Sequence, residues 1–392
     1  MLYICNVIDR DLIKLVRSMA KKMPILSITG PRQSGKTTLC KLAFPKYDYV
    51  NLESPEVLGL ALDDPKTFLT SHKHGLIIDE AHRYPDLFSY IQVISDARGK
   101  TGEFILTGSQ NFLLNQRISQ SLAGRVFITH LLPFQMKELK GTKFELKKYQ
   151  DYIFRGFFPR LYDKKIAPEL FYPSYIQTYL ERDVRLLENV SDLVTFQKFI
   201  RMAAGRISQL INYSSLANEL GIDQKTVKRW FSILESSFIV FFLAPHHANF
   251  NKRIVKTPKL YFYDTGLACN LLGLNKASDI DNHWAKGALF ENFVIADIAK
   301  NHYNQGLKPP LYFWRDNTGN EIDGILESGT SMTSIEIKSG TTIAKDAFKG
   351  LNYYNILNKG IKKSYLVYGG NKSYTQSGIQ ILSWNEIEKI NA

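Results

Sequence analysis

Two glycines, a lysine and a threonine stand in the sequence at a spacing that suits the binding of phosphate groups. In the run GPRQSGKT, Gly35 follows Gly30 after four intervening residues, and Lys36 and Thr37 come directly after Gly35. Glycines permit the tight backbone path by which N–H groups at the start of a helix surround a polyphosphate. The lysine would reach the β and γ phosphates, and the threonine hydroxyl would hold Mg²⁺. The residues expected to touch a nucleotide are Gly30, Pro31, Arg32, Gln33, Ser34, Gly35, Lys36, Thr37 and Thr38.

A pair of acidic residues further along the chain could complete this chemistry. The apolar run at 76–78 ends in Asp79 and Glu80. An aspartate in this place suits the Mg²⁺ shell and a glutamate beside it suits the polarisation of a water, which is the division of labour that phosphoryl transfer requires. A buried strand that leaves into acidic residues is common by itself. Together with the phosphate-binding run, the pair predicts ATP hydrolysis with Asp79 as a metal ligand and Glu80 as the catalytic base.

The pattern of strands and helices around these residues indicates a parallel sheet covered by helices. Strand-like runs at 24–29, 47–52, 75–79, 103–107 and 125–131 alternate with helical stretches. Alternation of this kind favours a parallel α/β sheet, with ligand sites at the carboxyl ends of its strands. Because the phosphate-binding run lies between a strand and a helix, the alternative of an ordinary Gly-rich turn is weak.

Three further positions in the first part of the chain are candidates for the same chemistry. Thr107 or Ser109, at the end of a strand-like run, could hydrogen-bond the γ-phosphate or the water, and the alternative is a turn cap. Arg125 could act as an arginine finger on the nucleotide of a neighbouring subunit, since a guanidinium donates several hydrogen bonds in one plane. A plain surface arginine is the alternative. The finger would make the chain a homo-oligomer.

The stretch 215–230 has the spacing of a helix-turn-helix. Ala217 is small where two helices would cross, Gly221 would supply the turn, and Val227 would pack the second helix. The polar residues that the second helix would expose are Gln224, Lys225, Lys228 and Arg229. This pattern predicts contact with DNA, while the alternative is a winged helix used for dimerisation or as a scaffold.

The charge of the chain supports a nucleic-acid partner. The formal net charge is +13, and the segment 196–260 contains 10 basic and 3 acidic residues, a net of +7. Clustered positive charge is what contact with a phosphate backbone requires. Simple solubility is the alternative for the charge outside this segment.

Near the C-terminus, acidic residues and a lysine stand at a spacing found in metal-dependent nucleases. Glu336 follows Asp323 by thirteen residues, and Glu336 and Lys338 would lie on one face of a strand. Asp323 and Glu336 would bind Mg²⁺ with help from Glu291 on a helix, and Lys338 would orient or activate the attacking water. The set matches the core of restriction-endonuclease-like folds, although a solvated strand often shows the same triplet. The alternative acidic partners are Asp316 and Glu321.

Size and composition limit the class of protein. At 392 residues the chain predicts two to four domains, and 44% hydrophobic with 22% charged residues indicates a globular protein. The scattered cysteines, Cys5, Cys40 and Cys269, have no metal-ligand spacing and suit a reducing cytosol. The longest apolar stretch, 238–244, is too short to cross a bilayer, and the start of the chain lacks a signal-peptide core. We therefore expect a cytoplasmic protein with no membrane segment.

Four runs of sequence, taken in order, resemble one protein family. They are GPRQSGKT at 30–37, IIDEAH at 77–82, LTGS at 106–109 and SLAGR at 121–125. Together they resemble bacterial and archaeal AAA-type ATPases that carry a C-terminal domain of unknown function. The resemblance implies nucleotide hydrolysis, without implying a biological role. In the run YLERD at 179–183, it also makes Arg182 a candidate lid arginine, with pairing to neighbouring acids as the alternative.

The predicted fold is therefore an α/β multidomain chain. We expect an AAA-type P-loop domain with a parallel sheet over 1–140 and a helical lid or connector over 141–195. A winged helix-turn-helix would follow over 196–265 and a restriction-endonuclease-like α/β domain over 266–392. The predicted function is ATP hydrolysis coupled to action on DNA, with ATP and Mg²⁺ as cofactors and a metal-dependent nuclease domain. The alternative is an ATP-controlled regulator or scaffold that binds its partners without cleavage.

Overall fold

Within the residues that the structure describes, the backbone forms two β-sheets, one of five strands and one of eight. The computed structural model describes residues 8–108, 121–180, 193–246, 257–316, 318–358 and 360–390. These residues divide into two units. Unit 1 consists of the described residues up to Phe134 together with Ser236–Phe238 and His302–Leu307, and unit 2 consists of the remainder.

Unit 1 is built on a wholly parallel sheet with the strand order β2-β3-β4-β1-β5. Its strands are β1 (Ile25–Thr29), β2 (Asp48–Asn51), β3 (Leu76–Asp79), β4 (Phe104–Thr107) and β5 (Val126–His130). The parallel sheet is confirmed, and each strand lies inside the run predicted for it. Because β4 lies between β1 and β3, the carboxyl ends of β1 and β3 open onto one edge of the sheet on either side of β4.

Helices cover both faces of this sheet. They are α1 (Leu12–Met19), α2 (Lys36–Ala43), α3 (Pro55–Asp63), α4 (Pro65–Thr70) and α5 (Leu87–Arg98). Alternate residues of each strand enter different cores, so that Ile25 packs with Phe88 of α5 while its neighbour Leu26 packs with Val16 and Leu39. Burial of apolar side chains on both faces is what the continuous apolar runs of a parallel sheet provide.

Unit 2 contains the eight-stranded sheet, in the order β12-β13-β11-β10-β9-β8-β6-β7. Its strands are β6 (Val240–Pro245), β7 (Lys259–Phe262), β8 (Leu311–Arg315), β9 (Glu321–Ser328), β10 (Ser331–Lys338), β11 (Ile361–Tyr368), β12 (Tyr374–Gln376) and β13 (Ile379–Ser383). The hairpin strands β6 and β7 pair with each other, and β6 also pairs with β8 through Ala244 and Tyr312. One sheet therefore runs across the boundary predicted at 265/266, because β6 extends the sheet of the predicted nuclease-like segment.

Ten α-helices of the described residues belong wholly or mainly to unit 2. They are α6 (Met136–Leu139), α7 (Tyr149–Arg155), α8 (Pro159–Asp163), α9 (Pro168–Tyr175), α10 (Leu193–Ala204), α11 (Tyr213–Leu220), α12 (Gln224–Ser236), α13 (Thr265–Leu271), α14 (Lys286–Asn304) and α15 (Lys349–Leu357). The buried carboxylate of Asp264 accepts hydrogen bonds from Phe157 N at 2.7 Å, Tyr172 Oη at 2.7 Å and Leu267 N at 2.9 Å. This carboxylate ties the connector helices to the start of α13.

No helix in the described ranges is both long and apolar enough to span a bilayer.

Candidate functional site

The predicted phosphate-binding run forms a loop between β1 and α2. Gly30 has φ +145°, and a Cβ atom on it would lie 2.2 Å from the carbonyl oxygen of Leu131, so the chain can pass here only as glycine. Gly35, with φ +94°, precedes the first turn of α2. The Lys36 ammonium donates to the carbonyl oxygens of Gly30 at 3.0 Å and Pro31 at 2.9 Å. Burial lowers the pKa of Lys36 to about 8.

The carboxylate of Asp79, at the end of β3, is bonded by side chains from α2, β2 and β4. Its Oδ2 accepts from Thr37 Oγ1 at 2.6 Å and from Tyr49 Oη at 2.9 Å. Its Oδ1 accepts from Thr107 Oγ1 and from the backbone N of Glu80 at 3.1 Å. Four donors, three on side chains of α2, β2 and β4 and one on the adjacent backbone, hold a carboxylate that is only 6% exposed. These bonds hold the carboxylate in a fixed position beside Thr37 of the phosphate loop.

Tyr49 is a site residue that the sequence did not single out. It lies on β2, whose parallel pairing with β3 sets Tyr49 beside Ile77 and Asn51 beside Asp79. The Lys41 ammonium lies 3.7 Å from the centre of its ring. Burial and the neighbouring Asp79 raise the pKa of the Tyr49 hydroxyl, so it stays a proton donor. The contact between Tyr49 and Asp79 depends on the register of β2 against β3, which local sequence patterns do not show.

Glu80 has a backbone conformation that is rare for a residue with a side chain. Its φ of +53° and ψ of +43° lie in the left-handed region, directly after β3. His82 Nδ1 lies 3.2 Å from Glu80 Oε2, and both side chains are largely buried. The turn therefore holds the Glu80 carboxylate beside Asp79 and next to an imidazole.

Arg10 is a second residue that the sequence did not single out. Its guanidinium is buried, and it donates from Nη1 to Ser34 O at 2.9 Å and from Nη2 to Leu132 O at 2.7 Å. The same group lies 4.7 Å from the ring centre of Phe134. Arg10 thus braces the backbone of the phosphate loop from a segment that precedes it by 24 residues.

The remaining predicted nucleotide contacts are distributed along the same loop. Arg32 and Gln33 are half-buried, Ser34 is buried, and Thr38 lies on the exposed side of α2. Gln33 has φ +63°, in the left-handed region that is rare for a residue with a side chain. Their contacts with a nucleotide stay predictions.

Arg125 lies away from the phosphate loop in its own chain. Its guanidinium donates to both carboxylate oxygens of Asp96, at 2.5 and 2.8 Å. A role on the nucleotide of another subunit stays a prediction. Ser109 and Arg182 lie outside the described residues.

The predicted helix-turn-helix consists of α11, a turn at Gly221 with φ +68°, and α12. The Asp223 carboxylate accepts from Thr226 N at 2.9 Å at the start of α12. The second helix buries Val227 and Trp230. The polar residues that it exposes are Gln224, Lys225, Lys228 and Arg229. The exposed and buried faces of α12 match the sequence pattern, and its contact with DNA stays a prediction.

The structure brings the predicted nuclease-like residues of β9 and β10 together. Asp323 Oδ2 accepts from Ile337 N at 2.8 Å, and Lys338 Nζ donates to Glu336 Oε1. The other oxygen of Glu336, Oε2, is buried without a hydrogen-bond partner. Burial, followed by the nearby Asp323 charge, raises the pKa of Glu336 to about 8. Two carboxylates and a lysine thus lie together in one cluster.

Lys259 also belongs to this cluster, and the sequence did not reveal it. Its ammonium lies 3.0 Å from Glu291 Oε1, forms an ion pair with Glu321, and lies 3.9 Å from Asp323 Oδ1. Tyr261, also on β7, donates to the same Glu291 oxygen at 2.6 Å. Burial, followed by the Asp323 charge, raises the pKa of Glu291 to about 7. Glu291 was expected to help bind metal, and in the structure its partners are Lys259 and Tyr261.

The residues of the cluster fit a metal ion held by two carboxylates. In the described ranges no three His, Cys, Asp or Glu side chains are arranged to hold a metal ion. Mg²⁺ commonly takes one or two carboxylates and completes its shell with water and substrate phosphate. The unpartnered oxygen of Glu336, with Asp323 beside it, suits that donor set. Asp316, an alternative partner, instead accepts hydrogen bonds from Thr318 and Asn320 in its own loop.

Comparison with family models divides the chain into three matched segments. Residues 22–140 match an AAA domain. Residues 146–278 match a domain of unknown function (DUF8612), and residues 286–387 match another (DUF4143). The first match covers all five strands of the parallel sheet with the phosphate loop. The AAA domain is a P-loop ATPase domain, a class that binds ATP with Mg²⁺ and in general hydrolyses it.

Solved structures also resemble parts of the chain. The Walker-type ATPase PABY2304 of Pyrococcus abyssi is 14% identical with a TM-score of 0.45, and the match covers 68% of this chain and 96% of that one. AMPPCP-bound DnaA from Aquifex aeolicus is 15% identical with a TM-score of 0.31, covering 57% of this chain and 85% of that one. Likeness at this level carries no inference about activity.

Two mycobacterial proteins are more similar in sequence. They are the uncharacterized proteins Mb2031c of Mycobacterium bovis and Rv2008c of Mycobacterium tuberculosis. Each is 32% identical over 343 residues, which is 86% of this chain and 76% of the relative. The chain therefore belongs to the family of Mb2031c and Rv2008c, and its residues 22–140 form an AAA domain of the P-loop ATPase type.

Proposed function

We propose that this chain hydrolyses ATP at the phosphate loop of unit 1 and that hydrolysis serves an action on DNA. The observation that carries the first part is the hydrogen bond from Thr37 of the loop to Asp79 at the end of β3, at 2.6 Å. It joins the two groups that hold Mg²⁺ in phosphoryl transfer. Lys36 and the loop N–H groups would bind the phosphates.

Glu80 is the proposed catalytic base. It follows Asp79 directly, and its side chain is 14% exposed, so water can reach it while most of the group is shielded. A carboxylate beside the metal ligand can orient a water and take its proton as the water attacks the γ-phosphate. His82 Nδ1 lies 3.2 Å from Glu80 Oε2, so the imidazole limits the space open to the carboxylate.

Glu80→Gln tests this role, with exposed Glu53→Gln as the matched control. The amide keeps the shape of the side chain and cannot take a proton, so we expect ATP binding to persist and turnover to fall about 100-fold or more. ATP binding is measured by calorimetry and turnover by phosphate release. Normal turnover in Glu80→Gln would refute the assignment of the base.

The proposed contact with DNA is through α12. It is supported by the exposure of Lys225 and Lys228 on one helix that follows a helix-turn-helix spacing, within a segment of net charge +7. Lysines that contact phosphates release counterions, so binding weakens as salt rises. We expect the double variant Lys225→Glu, Lys228→Glu to bind duplex DNA more weakly and with a smaller salt dependence.

The matched control for this test is Lys21→Glu, Lys22→Glu, which changes the charge equally at an exposed site in unit 1. Equal DNA binding by both double variants would show that net charge, and not α12, determines binding. Binding unchanged from the parent chain would remove α12 as the DNA-binding element.

The cluster on β9 and β10 is the proposed site of phosphodiester cleavage. Asp323 and Glu336 would hold a divalent ion, which when bound supplies charge stabilisation and a more acidic water. Lys338 is 44% exposed at its side chain and bonded to Glu336, a position from which its ammonium can meet a phosphate or orient a water. The support for this proposal is the unpartnered Glu336 oxygen beside Asp323.

Cutting of plasmid DNA in Mg²⁺ or Mn²⁺ tests the cleavage proposal. We expect it to vanish in Asp323→Asn and in Lys338→Ala and to persist in Lys345→Ala, an exposed lysine elsewhere in unit 2. Cutting that survives both substitutions would come from a contaminating nuclease. DNA binding with ATP hydrolysis but no cutting would instead favour an ATP-controlled regulator or scaffold.

A further inference from the structure

The carboxylate cluster of unit 2 contains more acidic groups than the proposed metal site uses. Four carboxylates are present, and two lysines accompany them. The carboxylates are Glu291, Glu321, Asp323 and Glu336, and the lysines are Lys259 and Lys338. Since one or two carboxylates are enough for one Mg²⁺ ion, four could serve two ions.

The two lysines of this cluster pair with different carboxylates. The Lys259 ammonium is bonded to Glu291 at 3.0 Å and paired with Glu321, while Asp323 lies further off at 3.9 Å. Lys338 is bonded to Glu336, which keeps one oxygen without a partner. The Glu291 side of the cluster, meaning Glu291 and Glu321, thus already has a cation of the chain beside it, whereas the free oxygen of Glu336 is open to an external cation.

The position of Lys259 is fixed by the fold. It is 3% exposed and begins β7, where it pairs with Leu243 of β6. Its ammonium also lies 5.5 Å from the ring centre of Phe313. A buried ammonium persists only where carboxylates compensate its charge, and the carboxylates in turn depend on it.

We propose that Lys259 is a tethered cation that fills the Glu291 side of the cluster, so that the cluster takes one divalent ion, at Asp323 and Glu336, instead of two. The inference rests on the proposed nuclease-type site. It assigns to the hairpin strand β7 a direct part in that site, because the lysine comes from β7 and the metal-binding carboxylates come from β9 and β10. It also makes Lys259 and Glu291 positioning residues that need not touch DNA.

Counting bound Mn²⁺ tests the proposal. The full chain is used without nucleotide and in an Asp79→Asn background, so that an ion at the phosphate loop is not counted. Lys259→Met keeps the length of the side chain and removes its charge. We expect one ion per chain with Lys259 present and two with Lys259→Met, measured by equilibrium dialysis and by the spin-resonance signal of free Mn²⁺.

Two further measurements keep the test decisive. Lys259→Met together with Glu291→Gln removes both the cation and a carboxylate, and we expect the count to return to one. Lys259→Met should also depend on divalent ions for its stability, since an ion replaces the lost charge, and its melting temperature should rise with Mn²⁺ far more than that of the parent.

The outcomes separate this inference from the proposed function. No ion in the parent and one in Lys259→Met would remove the metal site at Asp323 and Glu336, yet would support the tethered cation. Equal counts in the parent and in Lys259→Met would overturn the tethered cation, as would two ions in the parent. It would also be overturned if Lys259→Met failed to fold even with Mn²⁺ present.

Discussion

The hydrogen bond from Tyr49 to Asp79 makes the first prediction. Tyr49→Phe removes one hydroxyl that donates to Asp79 Oδ2 at 2.9 Å and leaves the ring and its packing in place. The same oxygen keeps its bond from Thr37. A carboxylate that loses one of its donors is held less firmly, so it is a poorer ligand for the Mg²⁺ of MgATP.

The size of the effect follows from the kind of bond. A hydrogen bond to a charged group contributes about 1.5–3 kcal/mol, and about 1.4 kcal/mol corresponds to a tenfold change in an equilibrium constant. Loss of a hydrogen bond to a metal ligand generally costs about 10–100-fold in affinity or activity. Because Tyr49 is half-buried, water can replace part of the bond. We therefore expect the lower end, a fall of about tenfold in kcat/KM for MgATP.

Tyr47→Phe is the matched control. Tyr47 also lies beside β2, but its hydroxyl donates to the backbone oxygen of Gly102 at 2.9 Å, away from Asp79. The assay is ATP turnover against Mg²⁺ concentration for the parent and both variants, with thermal unfolding to compare their stabilities. Tyr49→Phe should need more Mg²⁺ and regain part of its rate when Mg²⁺ is raised. Equal Mg²⁺ dependence in the two variants would refute the role of Tyr49.

Three more predictions concern stability. Gly30→Ala should abolish ATP binding and lower the free energy of unfolding, because the new Cβ would lie 2.2 Å from Leu131 O. Gly99→Ala has φ +58° but open space around it, so chemical denaturation should show a loss of only about 1–2 kcal/mol. Burial lowers the pKa of His130 to about 4, so the unfolded chain binds a proton at this histidine before the folded chain does as pH falls below about 6.5. The free energy of unfolding should therefore fall by about 2 kcal/mol between neutral pH and pH 5, and by less in His130→Gln. Burial raises the pKa of Glu336 to about 8, so as pH rises the folded chain keeps this proton to a higher pH than the unfolded chain does. The free energy of unfolding should therefore fall between about pH 4.5 and pH 8 in the parent, and this fall should be absent in Glu336→Gln.

Local patterns in the sequence predict the nucleotide-binding elements well. The phosphate-binding run requires a strand before it and a helix after it, and the structure has β1 and α2 there. Asp79 ends an apolar run, which marks the carboxyl end of a buried strand. Parallel order then brings this end to the same edge as the loop, and so Thr37 and Asp79 are in contact.

Contacts that depend on register or on distant segments could not be predicted in this way. Tyr49 faces Asp79 only because β2 pairs with β3 in one register. Arg10 reaches the loop from an earlier segment whose sequence carries no phosphate-binding pattern. Lys259 looks like an ordinary charged residue at the start of a strand, and its burial follows from a hairpin that joins a sheet formed mostly by later residues. In each case long-range packing, and not the local spacing of residues in the sequence, determines which group the side chain contacts.

The central claim is that this chain hydrolyses ATP in support of an action on DNA, and phosphate release tests it most directly. The purified full chain is assayed with ATP and Mg²⁺ at low salt, with and without duplex DNA, and Glu80→Gln serves as the blank. The account predicts release above the blank that rises severalfold when DNA is added. Release no greater than that of Glu80→Gln would contradict ATP hydrolysis at this site, and hydrolysis that DNA leaves unchanged would contradict its link to DNA.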